Sequence, residues 1–296
     1  MDRVENRMPT HKYAPVGHCI YCGQVPSDQP LTVEHIIPLS LGGELLLPAS
    51  SCIPCAAITG HIEGIVCGSM LKAVRTHLGM KSRRPKERPT TLPVKQGKGG
   101  VEVPIIEVPI NEHPFYLALQ EFERPQILKR PRRWQERDDE LHWRMHTAPD
   151  TAKRHDALGN AGVQLFRINP DNMQRMLAKM AHSYAIAELG SDVFRPFLPD
   201  LILNKRPSRN WLVGSKPGEN RPPPNSTWQF PTVVHSIELR RERGPNMTFL
   251  TCDITLFAEH GMPVYEVIVG PITKDINSPD PLRLFRSSPA DGPARD

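Results

Sequence analysis

Two cysteine pairs constrain this chain more than anything else in it. Cys19-Ile20-Tyr21-Cys22 and Cys52-Ile53-Pro54-Cys55 share one spacing, and 29 residues separate Cys22 from Cys52. Two residues between thiols let a tight turn aim both sulfurs at a single ion. Two such turns complete a tetrahedral shell of four thiolates, the set that suits zinc. Gly23, directly after the first pair, supplies the permissive backbone that this turn needs. The competing readings are unrelated pairs of buried cysteines or a redox pair; the same spacing twice within 37 residues favours zinc. A structural zinc is worth roughly 10–16 kcal/mol in small peptides, enough to hold so short a segment folded. Cys67 and Cys252 have no such partner and read as buried thiols.

Thiols used as metal ligands imply a reducing, cytoplasmic compartment. The opening MDRVENRMPTHKY lacks the apolar core of a secretory signal, and no apolar run approaches the ~18 residues of a membrane span, so no membrane partner is expected. Net charge is only +5, but it is unevenly placed. Lys81 to Lys98 holds seven cations and one anion, and Arg124 to Arg137 six cations and one anion. Those windows sum to 6 + 5 = +11, leaving −6 for the rest of the chain. Basic charge gathered in this way suits a polyanion, although charge runs are more often solvated loops.

Between the cysteine pairs, Leu31-Thr32-Val33-Glu34-His35-Ile36-Ile37 reads as a strand that breaks at Pro38. Gly42-Gly43 turns the chain back as a hairpin, which then runs into a helix near the second pair. Glu34 and His35 are adjacent, so on an extended strand they point to opposite faces. An acidic side chain there can hold a hard divalent cation, and a neutral imidazole can take a proton from water near pH 7.

Taken together, Cys-x2-Cys, then Glu-His-Ile-Ile-Pro-Leu-x-Leu-Gly-Gly, then Cys-x2-Cys resembles the HNH endonucleases, whose core is a zinc-bound ββα-metal fold. The likeness covers roughly residues 17–65, and the wider chain is similar to bacterial and phage HNH proteins with a long C-terminal extension. The resemblance implies DNA as partner and His35 as the general base activating water against a phosphodiester. It implies Glu34 as ligand of a catalytic magnesium or manganese ion, with Cys19, Cys22, Cys52 and Cys55 holding the structural zinc. The chain departs from the family at two places. Leu45-Leu46-Leu47-Pro48 stands where an Asn usually orients the histidine ring, and Ala56-Ala57 stands where the last metal ligand usually follows the final cysteine. His61 or Glu63, on the following helical turns, is the available substitute ligand, with His61 the residue chosen here.

The expected fold class is α+β: a small zinc-stabilised ββα module over 15–80, then a basic, proline-punctuated connection over 81–160. A larger α+β domain follows over 161–272, then a disordered tail over 273–296. Val101–Val108 suggests a strand pair. Asn172–Leu189 is the clearest helix, with Met173, Leu177, Met180, Tyr184 and Ala187 forming an apolar stripe, Asp171 or Asn172 as cap and Gly190 as its end. Val233–Leu239, Leu250–Leu256 and Tyr265–Val269 alternate in polarity and predict an antiparallel meander. His18, His77, His113, His142, His146 and His182 sit beside no carboxylate or cysteine pattern that singles out a ligand.

Three functions fit. The first is a metal-dependent DNA endonuclease, with Arg83, Arg84, Lys86 and Arg88 gripping phosphates and Trp134 either stacking on an unpaired base or packing on the domain. The second is a catalytically inactive, zinc-stabilised nucleic-acid-binding module. The third is a structural zinc domain serving protein assembly.

Overall fold

The computed structural model describes residues 11–80, 82, 85–95, 105–129, 142–159, 169–205, 211–216, 234–244, 246–274 and 283–287. The short strand β1 (His11–Lys12) pairs parallel with β3 (Leu45–Ser51), and β2 (Thr32–His35) pairs with β3 antiparallel. The β2–β3 connection makes a single 3-10 turn at Leu39–Leu41, and Gly42 follows in the left-handed region at φ 79°. Gly43 admits no side chain: a Cβ there would come within 1.8 Å of the Ile37 carbonyl oxygen. The expected hairpin is thus present and turns where the two glycines stand.

Helix α1 (Ile53–Ile65) follows β3 directly, with Cys52 as its extended cap and Pro54 in its first turn, where the missing N–H has no helical partner to lose. A wide π turn at Val66–Met70 leads into α2 (Lys72–His77). The helical run Ile53–Met70 is long and apolar enough to cross a membrane by length and composition, unlike the expectation of no such run. Its Cys55, Ile62, Val66 and Cys67 are buried against protein.

The connecting region contains two ribbons, β4 (Thr91–Lys95) with β5 (Ile105–Pro109), and β6 (Tyr116–Glu121) with β7 (His142–Thr147). Strand β5 therefore pairs upstream, not within Val101–Val108. A short α3 (Thr151–Ala157) precedes α4 (Pro170–Leu189). Asn169, not Asp171 or Asn172, caps α4: its side chain accepts from the Asn172 N–H at 3.1 Å, and Pro170 opens the first turn.

After α5 (Pro199–Ile202), β8 (Val213–Ser215), β9 (His235–Arg243), β10 (Thr248–Leu256), β11 (Val264–Pro271) and β12 (Arg283–Ser287) form one antiparallel sheet in the order β12-β9-β10-β11-β8. The meander β9–β10–β11 is the expected one. Strand β12 lies in the stretch expected to be a disordered tail and pairs with β9 instead.

Helix α4 is the centre of the molecule. From Asn172 to Ile186 every residue but Arg175 is buried, because α4 packs on the sheet on one side and on α1 and β2 on the other. A single hydrophobic cluster therefore runs from Cys19 through Cys67, Met176 and Tyr184 to Val269. The zinc-type module and the C-terminal sheet share this core.

Candidate metal centre and hydrolytic site

The first cysteine turn is closed by the Gly23 N–H donating to the Cys19 carbonyl at 2.8 Å, with Gly23 at φ 75°. The second pair comes from the cap and first turn of α1. Sulfurs of Cys19, Cys22, Cys52 and Cys55 all lie within 4.8 Å of one another, and the Cys22 and Cys52 sulfurs are 3.7 Å apart. Thiolates bound tetrahedrally at ~2.3 Å from a zinc ion stand about 3.8 Å apart, so the quartet fits that ion. Burial works to raise the Cys19 thiol, but main-chain N–H groups of Cys52, Cys22 and Tyr21 outweigh it and bring it down to about 7. Burial pushes Cys55 and Cys22 up, and their thiol neighbours push further.

Cys67 and Cys252 are both buried, as expected. Cys67 sits 3.9 Å from the Met176 sulfur, and burial pushes its thiol up to about 11.

Strand β2 carries Glu34 and His35 with the alternation of an extended chain. Glu34 is buried on the inner face, while His35 is half-buried. Across the ladder His35 stands opposite Leu46. The position facing the imidazole is therefore apolar, which matches the Leu45–Pro48 departure.

Glu34 has an unforeseen partner. The Lys179 ammonium, projecting from α4, lies 2.6 Å from Glu34 Oε1 and 2.7 Å from Glu63 Oε1. It also donates to the carbonyl oxygen of His35 and lies 3.5 Å from that of Ile36. Lys179 is 1% exposed and Glu34 7% at their side chains, while Glu63 is 19% exposed, so the cluster opens to solvent only on the Glu63 side. Burial alone would lower the Lys179 pKa, but the charges of Glu34 and Glu63 prevail and hold it above its ordinary value. Tyr21, from the first cysteine turn, is also buried, and its phenol is raised by burial and then by the Glu34 charge.

Glu63 thus converges on Glu34, and His61 does not. Two residues apart on α1 puts them ~200° apart around the helix, and His61 faces the open side. Among the described residues, the cysteine quartet is the one group of three or more His, Cys, Asp or Glu side chains close enough to share an ion.

The catalytic divalent ion implied by the HNH resemblance can be tested against these atoms. Two carboxylates and two main-chain carbonyls form the all-oxygen set a hard cation takes. The centre of that set is held by Lys179 Nζ, so the folded chain does not fit a divalent ion there.

Of the expected phosphate grips, Lys86 and Arg88 are exposed, and Arg88 also donates to the Met80 carbonyl at 2.9 Å. Arg83, Arg84 and Trp134 lie outside the described residues. Arg124, from the second basic window, is held by Glu242 at 2.6 Å and by the buried Glu266 at 2.9 Å, both on strands of the sheet.

Sequence reasoning missed Lys179 because its partners lie over a hundred residues upstream. A local signal existed: Met176, Lys179 and His182 recur at a step of three, marking a second buried face on a helix already given an apolar stripe.

Residues 19–62 match the family model described as HNH endonuclease. No curated protein and no solved structure matches the chain. The matched residues run from the first zinc-type cysteine to the buried face of α1, so an HNH module stands at the N-terminal end of this α+β protein.

Proposed function

We propose that this HNH module engages the phosphodiester backbone of DNA and that His35 is its general base for hydrolysis. The observation that carries the reading is the position of His35. It closes β2, on a frame pinned by the four cysteines, and is itself half-buried while its acidic neighbour is buried. A neutral imidazole so placed takes a proton from water as the water oxygen attacks phosphorus. That proton step is what the residues of this chain supply. Lys86 and Arg88, exposed after the module, add phosphate contacts that carry affinity without sequence information.

A second reading is favoured by one specific observation. With Lys179 held between Glu34 and Glu63, and Leu46 facing His35, the module binds nucleic acid without cutting it.

Incubating the zinc-loaded full chain with supercoiled plasmid, with and without magnesium or manganese, separates the two. Nicking that disappears in His35→Ala at unchanged zinc content supports hydrolysis. Retention of DNA at low salt without nicking supports the second reading. Indifference to DNA at low salt removes both and leaves a zinc domain of protein assembly.

A further inference from the structure

We infer that Lys179 is the resident cation of the Glu34–Glu63 carboxylate pair. The C-terminal half of the chain thereby supplies, from within, the positive charge that a divalent ion would otherwise bring to this module. The inference rests on the reading of β2 and α1 as an HNH frame, but it does not depend on cleavage.

The geometry has three parts. Glu34 comes from a strand and Glu63 from the helix that follows the hairpin, and both present an oxygen to one point, at 2.6 and 2.7 Å from the same nitrogen. The His35 and Ile36 carbonyls complete the oxygen shell around that point. An ammonium has three N–H donors and no acceptor, so it satisfies such a shell as a small hard cation would, with one charge in place of two.

The energetics explain why the lysine stays. Its removal would leave two like-charged carboxylates, one buried and one partly buried, facing each other without a countercharge, which is strongly destabilising. The ammonium is held from two elements at once, by Glu34 on β2 and Glu63 on α1, and the Lys179 side chain is itself buried, as are Met176, Ala178 and Met180 around it on α4. For Mn2+ to occupy the pair, the lysine must be deleted or the helix dislodged. This gives α4 a role beyond packing: it closes the cation position of the module.

Manganese binding to the zinc-loaded full chain tests this, read by electron paramagnetic resonance of free Mn2+ and by the melting temperature. Wild type should bind no Mn2+ in a manner sensitive to Glu34→Gln, and its melting temperature should not respond. Lys179→Ala should gain one Mn2+ site at least about tenfold tighter than any in wild type, with a matching rise in melting temperature. Both gains should vanish in Lys179→Ala/Glu34→Gln. If Lys179→Ala folds only when Mn2+ is added, that rescue is itself the expected result. If it folds under neither condition, wild type against Glu34→Gln and Glu63→Gln decides: a wild-type site lost in either variant overturns the inference, and its absence supports it. A folded Lys179→Ala that gains no site also overturns it. Plasmid nicking is scored separately, so an absence of cleavage leaves this result standing.

Discussion

His235 Nε2, from the first strand of the meander, donates to the Leu41 carbonyl of the HNH hairpin at 2.9 Å, while Nδ1 accepts from the Phe257 N–H at 3.2 Å. Both ring nitrogens are committed in the neutral form, and the residue is fully buried. His182, on α4, makes one such tie, its Nε2 donating to the Ile20 carbonyl at 2.7 Å. Two histidines thus tie the zinc-type module to the C-terminal half; the paired bonds of His235 need an uncharged ring, and burial disfavours charge on both.

Burial brings both down from 6.5 to about 4. Between those values the unfolded chain takes up protons that the folded chain refuses, so stability falls as pH drops from about 6.5 to about 4. Each histidine contributes up to about 1.4 kcal/mol per pH unit in that window. Urea unfolding at pH 7.5 and pH 5 should show the loss. His235→Gln should be weaker at pH 7.5 yet show a shallower decline; an unchanged decline would count against this account.

Cys52→Ser should abolish stoichiometric zinc, measured by metal analysis of the purified chain. The loss should not stay local, because Cys52 caps α1 and α1 packs on α4. A single cooperative transition at lower temperature is expected, involving the sheet as well. Retained zinc, or a sheet that melts independently, would contradict it.

Arg124 and the exposed cations should behave differently on DNA. Removing Lys86 and Arg88 together should flatten the dependence of log binding constant on log salt by about 2 in slope, at ~0.9 per phosphate contact. Arg124→Ala should leave that slope unchanged. It should instead destabilise the fold by about 2 kcal/mol, since Glu266 is wholly buried while Arg124 itself is partly exposed. A slope change in Arg124→Ala would show that the guanidinium is not committed to the sheet.

Gly43→Ala tests the hairpin. Its Cβ would stand 1.8 Å from the Ile37 oxygen, so the turn must open and with it the His35–Leu46 register. A loss of about 2–4 kcal/mol in unfolding free energy is expected, in the range of strained-backbone substitutions. A stability within 0.5 kcal/mol or so of wild type would mean that the turn relaxes freely.

Much of the module is legible in the sequence, because metal-ligand spacing and turn glycines are local signals. The cysteine quartet, the hairpin, α1 and the C-terminal meander all follow from residues within a few positions of each other. The partners that decide the chemistry are not local. Lys179 meets Glu34 across 145 positions, and Arg124 meets Glu266 across 142. Periodicity finds the Met173–Tyr184 stripe on α4 but says nothing about a lysine that is paid for by two distant acids. A basic window likewise cannot announce that its first arginine is already committed to a sheet. Asn169 captures the cap of α4 from Asp171 and Asn172 because Pro170 sets the helix to begin one residue after it.

Because α4 is walled in on both sides, the zinc-bearing end of this protein is not a detachable part. A fragment cut after residue 80 would lose the Lys179 countercharge, the His182 and His235 tethers and the apolar bed of Cys67 at one stroke. Anyone transplanting this module into another scaffold would have to bring a distant twenty-residue helix with it.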